Sequence, residues 1–186
     1  MGTAHLFNGV NANLTNDRLN RSNSALNLNN GYYQVPNGVY FNGPFSITAW
    51  FYYKSLQYGS VLLDFGSSTG TQNVFVTLFS LYSPTPYVRI NNNGIISQCG
   101  NRPFNFLNWI HIASTYDGNS LKLYMNGLSV CQINSGWPLN VTRMSNYIGK
   151  SYYPSNAYAN ATYDEIRFYN RALNQSEISE LMTLEL

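Results

Sequence analysis

From Trp109 to Ile133 the chain carries three short β-forming runs separated by two dipeptide turns, and this pattern restricts the fold more than any other feature. Trp109-Ile110-His111-Ile112-Ala113-Ser114-Thr115-Tyr116 ends at Asp117-Gly118, and Leu121-Lys122-Leu123-Tyr124-Met125 ends at Asn126-Gly127. Leu128-Ser129-Val130-Cys131-Gln132-Ile133 follows at once. Asp-Gly and Asn-Gly pairs accept the positive φ angles of tight hairpin turns, so the spacing predicts a three-strand antiparallel meander.

The same grammar recurs along the chain. Phe45–Tyr52 alternates directly after the breaker Gly43-Pro44, and Val61–Phe65 and Asn73–Phe79 flank the turn-forming Gly66–Gly70. Tyr87–Ile90 runs into Asn91-Asn92-Asn93-Gly94, and Ile95–Cys99 leaves it. Further strands are predicted at Ser145–Gly149 and Thr162–Tyr169. One helix is predicted, with Asn174 as its cap, Glu177 completing a capping box, and Ile178, Leu181 and Met182 on one face. Many short strands and one terminal helix imply an all-β, antiparallel two-sheet sandwich, expected to span residues 1–186 as one domain.

Polarity comes from Asn, Ser, Thr and Tyr, since only 10% of residues are charged while 44% are hydrophobic. A formal charge of +2, with scattered Lys and Arg, gives no basic field to displace counterions, so nucleic acid is excluded as a partner. No apolar run approaches the ~20 residues that span a bilayer, and no membrane insertion is expected. Met1-Gly2-Thr3 lacks the basic-then-apolar pattern of a signal peptide and reads as the start of a trimmed domain. Cys99 and Cys131 are expected to pair, closing a loop worth roughly 3–4 kcal/mol; two buried free thiols are the alternative. The sequons at Asn13, Asn20, Asn140, Asn160 and Asn174 point with the cysteines to a secreted protein, although a helix cap occupies Asn174.

The run Tyr163-Asp164-Glu165-Ile166-Arg167-Phe168-Tyr169-Asn170-Arg171-Ala172-Leu173-Asn174 resembles the ending of laminin-G-like jelly rolls. These belong to the concanavalin A-like lectin/glucanase superfamily, together with the pentraxins. Trp109–Gly118 with Leu123–Gly127 resembles the family's tryptophan-led hairpin pair, and Gly43–Phe51 its early strand. Ser24–Gly31 and Tyr147–Gly149 are similar to two further blocks, and all five stand in family order over about residues 5–183. The resemblance implies the fold; it does not decide among lectins, adhesive domains and glycosidases. It also implies a calcium site, with Asp164 as the acidic ligand and Asn8, Asn29 and Asn30 where relatives are commonly acidic. Amide oxygens bind Ca²⁺ more weakly than carboxylates. Asp164 pairing with a nearby arginine is the other reading.

Catalysis is not expected. Glycoside hydrolysis usually needs two carboxyls about 5–9.5 Å apart across one bond. Family glucanases carry theirs as Glu-x-Asp-x-Glu on one strand, and no such run exists here. Of Asp17, Asp64, Asp117, Asp164, Glu165, Glu177, Glu180 and Glu185, only Asp64, Asp164 and Glu165 are left for an enzyme, with no spacing that joins them. Two cysteines and two histidines give no zinc spacing.

Binding is the expected function. Sixteen tyrosines supply rings for the C–H faces of sugars, and neighbouring amides take hydroxyls. The loop Ser151–Asn160 combines these elements, with Tyr152, Tyr153, Asn156, Tyr158 and Asn160 as candidate ligand contacts. Tyr82, Pro84, Pro86 and Tyr87 form a second candidate. Trp50 and Trp109 are expected in the core and Trp137 on the surface. A lectin-like module for glycans or glycoproteins is the leading expectation, ahead of a protein-binding adhesive domain and of a glycoside hydrolase.

Overall fold

Asn93 and Gly94 both take positive φ, as do Asn126 and Gly127, and each pair closes the two-residue hairpin expected of it. The computed structural model describes residues 7–55, 57–79, 84–100 and 102–184. In chain order the strands begin with β1 (Phe7–Thr15), β2 (Ala25–Gln34), β3 (Gly38–Val39), β4 (Phe45–Tyr53) and β5 (Val61–Gly66). They continue with β6 (Asn73–Thr77), β7 (Tyr87–Asn92), β8 (Ile95–Cys99), β9 (Trp109–Tyr116) and β10 (Ser120–Met125). Last come β11 (Leu128–Asn134), β12 (Thr142–Arg143), β13 (Ser145–Ile148) and β14 (Ala159–Tyr169), before helix α1 (Gln175–Thr183).

Hydrogen bonding runs through β11-β10-β9-β4-β14-β2-β13-β5-β6-β7-β8 without a break, with β1 added beside β2. β3 and β12 form a separate small ribbon. Strand β2 is the crease. Its Leu26–Gly31 stretch pairs with β14, whereas Tyr33 and Gln34 pair with β13. The ladder folds back there, and residues such as Phe51, Ile112 and Leu123 from one half meet Leu63, Val76 and Val88 from the other in one core. At the far edge a disulfide joins Cys99 of β8 to Cys131 of β11, with Cα atoms 5.6 Å apart. This is the all-β sandwich that the sequence predicts.

Two details differ from expectation. Strands β1 and β2 are Asn-rich and were not readable as strands. Trp50 and Trp109 are not core residues: Ala49, Phe51, Ile110 and Ile112 point inward, so alternation turns both indoles to the outer face of the larger half. Trp137, by contrast, is half-exposed as expected. Helix α1 has its capping box and lays Ile178, beside Leu173, on Ala113 and Tyr124 of that outer face. Among the described residues no helix is long and apolar enough to cross a membrane.

Candidate functional site

Cross-strand register assembles the site. Tyr147, Asp64, Phe75, Arg89 and Gln98 stand opposite one another in β13, β5, β6, β7 and β8. Their sequence neighbours Leu63, Phe65, Val74, Val76, Val88 and Ile90 enter the core, so this row lies on the outer face of the smaller half. Arg89 donates from Nε to Gln98 Oε1 at 2.9 Å and lies over the rings of Phe75 and Tyr87, 4.8 and 5.2 Å from their centroids.

Asp64 is fully buried and ties a loop to this face. Its Oδ1 accepts from Asn73 Nδ2 at 2.9 Å; its Oδ2 accepts from Ser151 Oγ and the Tyr152 backbone N–H, both at 3.0 Å. Burial pushes the carboxyl above its ordinary range, against the opposing pull of these hydrogen bonds and of the Arg89 charge. Two glycines then let loops approach closely. A Cβ at Gly70 would sit 2.2 Å from the Tyr152 ring, and one at Gly59 2.4 Å from Asn156 Oδ1; both glycines have positive φ. The Ala157 N–H donates to Tyr58 O at 2.9 Å, clamping the two loops together.

Between these loops and the sheet opens a cleft of about 330 Å³. Phe75, Tyr87, Arg89 and Gln98 line it from the sheet, and Tyr58, Tyr153 and Asn156 from the two loops. It offers rings, amides and one cation. A second cavity of about 360 Å³ lies beside Arg102, Asn105, Asn108 and Asn126, but its one described ring is the buried Phe104, whereas the first has the accessible rings of Tyr58, Tyr87 and Tyr153. The first is therefore the better candidate for a ligand with both apolar and hydroxylated faces.

The predicted contacts separate into groups. Tyr153 and Asn156 line the cleft, and Tyr152 holds the loop in place over Gly70. Tyr158 lies on the loop's other flank, with Tyr32 at 5.1 Å and Lys150 at 5.7 Å from its ring. Asn160 is in β14 and donates to Ser55 Oγ at 2.9 Å, apart from the cleft lining. Of the second candidate, Tyr87 joins the cleft and Pro84 and Pro86 lead into β7; Tyr82 lies outside the described residues. Sequence reasoning missed Tyr58, Phe75, Arg89 and Gln98. The Asn93-Gly94 turn held a usable signal, because counting outward from it sets Arg89 opposite Gln98.

The residues implied for calcium do not converge. Asn29 pairs with Asn160, four residues along β14 from Asp164, while Asn8 bonds Gln34, five residues along β2 from Asn29. At about 3.3 Å per strand residue these gaps exceed ~10 Å, against ligand distances of about 2.3–2.6 Å. A bulge at Glu165, whose φ is 52°, turns two successive acids the same way. Arg18 receives both, its Nη1 lying 2.8 Å from Asp164 Oδ2 and 3.0 Å from Glu165 Oε1. The Arg18 side chain is only 7% exposed and caps the Trp50 ring at 5.1 Å. Arg167 Nη2 also lies 3.0 Å from Glu165 Oε2, and an acidic pair already matched by two guanidiniums does not fit a calcium ion. Nor, among the described residues, do three or more His, Cys, Asp or Glu side chains gather as a metal group elsewhere.

Solved structures with this architecture include domain 4 of AbnA, a GH43 extracellular arabinanase from Geobacillus stearothermophilus, in complex with arabinotriose. It shares 16% identity over 97% of this chain and 82% of its own, at a TM-score of 0.70. The binding domain of Paraclostridial Mosquitocidal Protein 1 is 18% identical over 96% of this chain, with a TM-score of 0.67. A putative carbohydrate binding protein from Bacteroides ovatus is 19% identical over 84%, with a TM-score of 0.63. This chain spans about half the length of the latter two, 47% and 46%. At such identities the likeness is one of fold. No curated protein matches the chain significantly. Residues 27–179 match the family described as the concanavalin A-like lectin/glucanases superfamily, and the chain belongs to it.

Proposed function

We propose that this chain is a non-catalytic carbohydrate-binding module that works outside the cell. The observation that carries this reading is the cleft over β6, β7 and β8, where tyrosine rings at 58, 87 and 153 stand beside the amides of Gln98 and Asn156. A pyranose or furanose ring can lay its C–H face on a tyrosine while amides take the flanking hydroxyls. The arabinanase domain named above is described with a bound arabinotriose, which supports a sugar ligand for this fold. The disulfide supports an oxidising compartment.

The carboxylates support binding over hydrolysis. Asp17 holds Arg21, Asp117 accepts the turn N–H groups of Asn119 and Ser120, and Glu177 caps α1. Asp164 and Glu165 face Arg18, and Asp64 is spent on its loop. Hydrolysis needs two carboxyls around one bond, and among the described residues none lining the cleft is Asp or Glu. A glycan array probed with the whole chain tests the reading. Binding is expected, with Tyr153→Ala weakening it about tenfold or more and no sugar released. Silence across diverse glycans, together with capture of a partner that survives deglycosylation, would replace it with a protein-binding adhesive role.

A further inference from the structure

Among the described residues, Arg89 is the one charged side chain lining the cleft. Among the described residues it makes no ion pair; Asp17, Asp117, Asp164, Glu165 and Glu177 are committed to other cations. Its Nε and Nη2 both engage Gln98 Oε1, and the rings of Phe75 and Tyr87 hold the guanidinium plane. This fixes the fork and leaves the Nη1 hydrogens with no protein acceptor among the described residues. Asp64, next but one in the same row, makes no ion pair with it: it is fully buried and its oxygens accept from Asn73, Ser151 and the Tyr152 N–H instead.

A second cation flanks the same loop. Lys150 Nζ sits 4.5 Å from the centroids of both Tyr32 and Tyr147, again with no ion pair among the described residues. Tyr147 belongs to the Asp64–Phe75–Arg89 row, three strand spacings or roughly 14 Å from Arg89. Both cations stand on aromatic faces, where a guanidinium or ammonium keeps its charge available to a ligand.

We infer that the cleft selects glycans that carry a carboxylate, with Arg89 as the group that recognises it and Lys150 adding attraction at the flank. This rests on the carbohydrate reading of the same cleft. A rigid guanidinium fork matches a carboxylate, and the ring floor takes the sugar's apolar face.

The probe is a set of oligosaccharides bearing uronic or sialic acids, each beside its carboxyl-reduced and its sulfated counterpart. The wild-type chain is expected to prefer the carboxylated member over the reduced one by about ten- to a hundredfold, and less so at high salt. Arg89→Gln should erase that preference, so that the carboxylated and reduced members bind alike, with Arg89→Lys falling between. If Arg89→Gln does not fold, the wild-type comparison of carboxylated with reduced sugars still decides. Equal binding of the two would overturn this inference and leave the carbohydrate reading intact. Tighter binding of the sulfated member would overturn the carboxylate assignment. Binding of none would overturn both readings.

Discussion

Arg18 shows how much a single side chain can settle. It meets two acids that a bulge has turned to one side, and it does so almost out of contact with water. Its own pKa reflects two opposed causes: burial lowers it, and the hydrogen bonds and charges of Asp164 and Glu165 raise it to a net increase. Removing one member of a buried ion group strands the rest, which typically costs about 3–5 kcal/mol. Arg18→Ala is expected to cost that much in a urea titration. EDTA should leave the wild-type melting temperature unchanged, whereas a drop would restore the calcium expectation. His111 makes a second residue-scale prediction. It is 2% exposed, and burial first, then the charges of Arg167 and Arg18, lower its pKa from 6.5 to about 4. The unfolded chain takes up this proton below pH 6.5 while the folded chain does not. Stability should therefore be full above pH 6.5 and decline by roughly 3 kcal/mol as pH falls to about 4. Asp64, whose pKa is raised, acts with the opposite sign in part of this range. The difference between wild type and His111→Gln isolates the histidine: the variant should lose the slope, and an unchanged slope would assign it elsewhere.

At the scale of elements, the loop that carries Tyr152, Tyr153 and Asn156 stands on Asp64. In Asp64→Asn one oxygen becomes an NH₂, so three donors, from Asn73, Ser151 and Tyr152, are left with one oxygen that can accept two, and a buried donor goes unpaired. The expected cost is about 1–3 kcal/mol, and ligand affinity should fall with it. Faster amide exchange at Tyr152 and Tyr153 would report the loosened loop; unchanged exchange would mean the loop is held by Tyr152 on Gly70 instead. This scale also shows what the sequence made legible. Runs from β4 to β11 were readable because alternation and turn dipeptides act locally, and the Asn174 cap is likewise local. Strands β1 and β2 were hidden because their asparagines are poor strand formers. Partners on both sides of β2 override that propensity, and irregularities at Asn8, Asn11 and Asn30, all at positive φ, absorb the misfit. Half of the cleft was hidden for a related reason. Tyr153 and Asn156 advertise a loop, whereas Phe75 and Arg89 look like ordinary strand residues until register brings them side by side.

For the whole molecule, the sequence conveyed two stacked layers but not that they are one ladder folded at β2. A single crease of this kind makes most contacts distant in sequence, with only the last edge left to be joined. Cys99 and Cys131 join it across 32 residues. Replacing both with alanine is expected to cost roughly 3–4 kcal/mol, read as a lower denaturation midpoint; a change below about 1 kcal/mol would show that the core alone holds the halves together.

That seam has a further consequence for solubility. β8 and β11 are the terminal strands of the ladder, and among the described residues neither has a paired strand on its outer side. While the sulfur bridge stands, the two rims screen one another. Once it is reduced, two ragged borders of free N–H and C=O groups, one ending in the exposed Ile95 and Ile96, become templates for a foreign strand. The bond thus guards the chain against self-association as well as against unfolding.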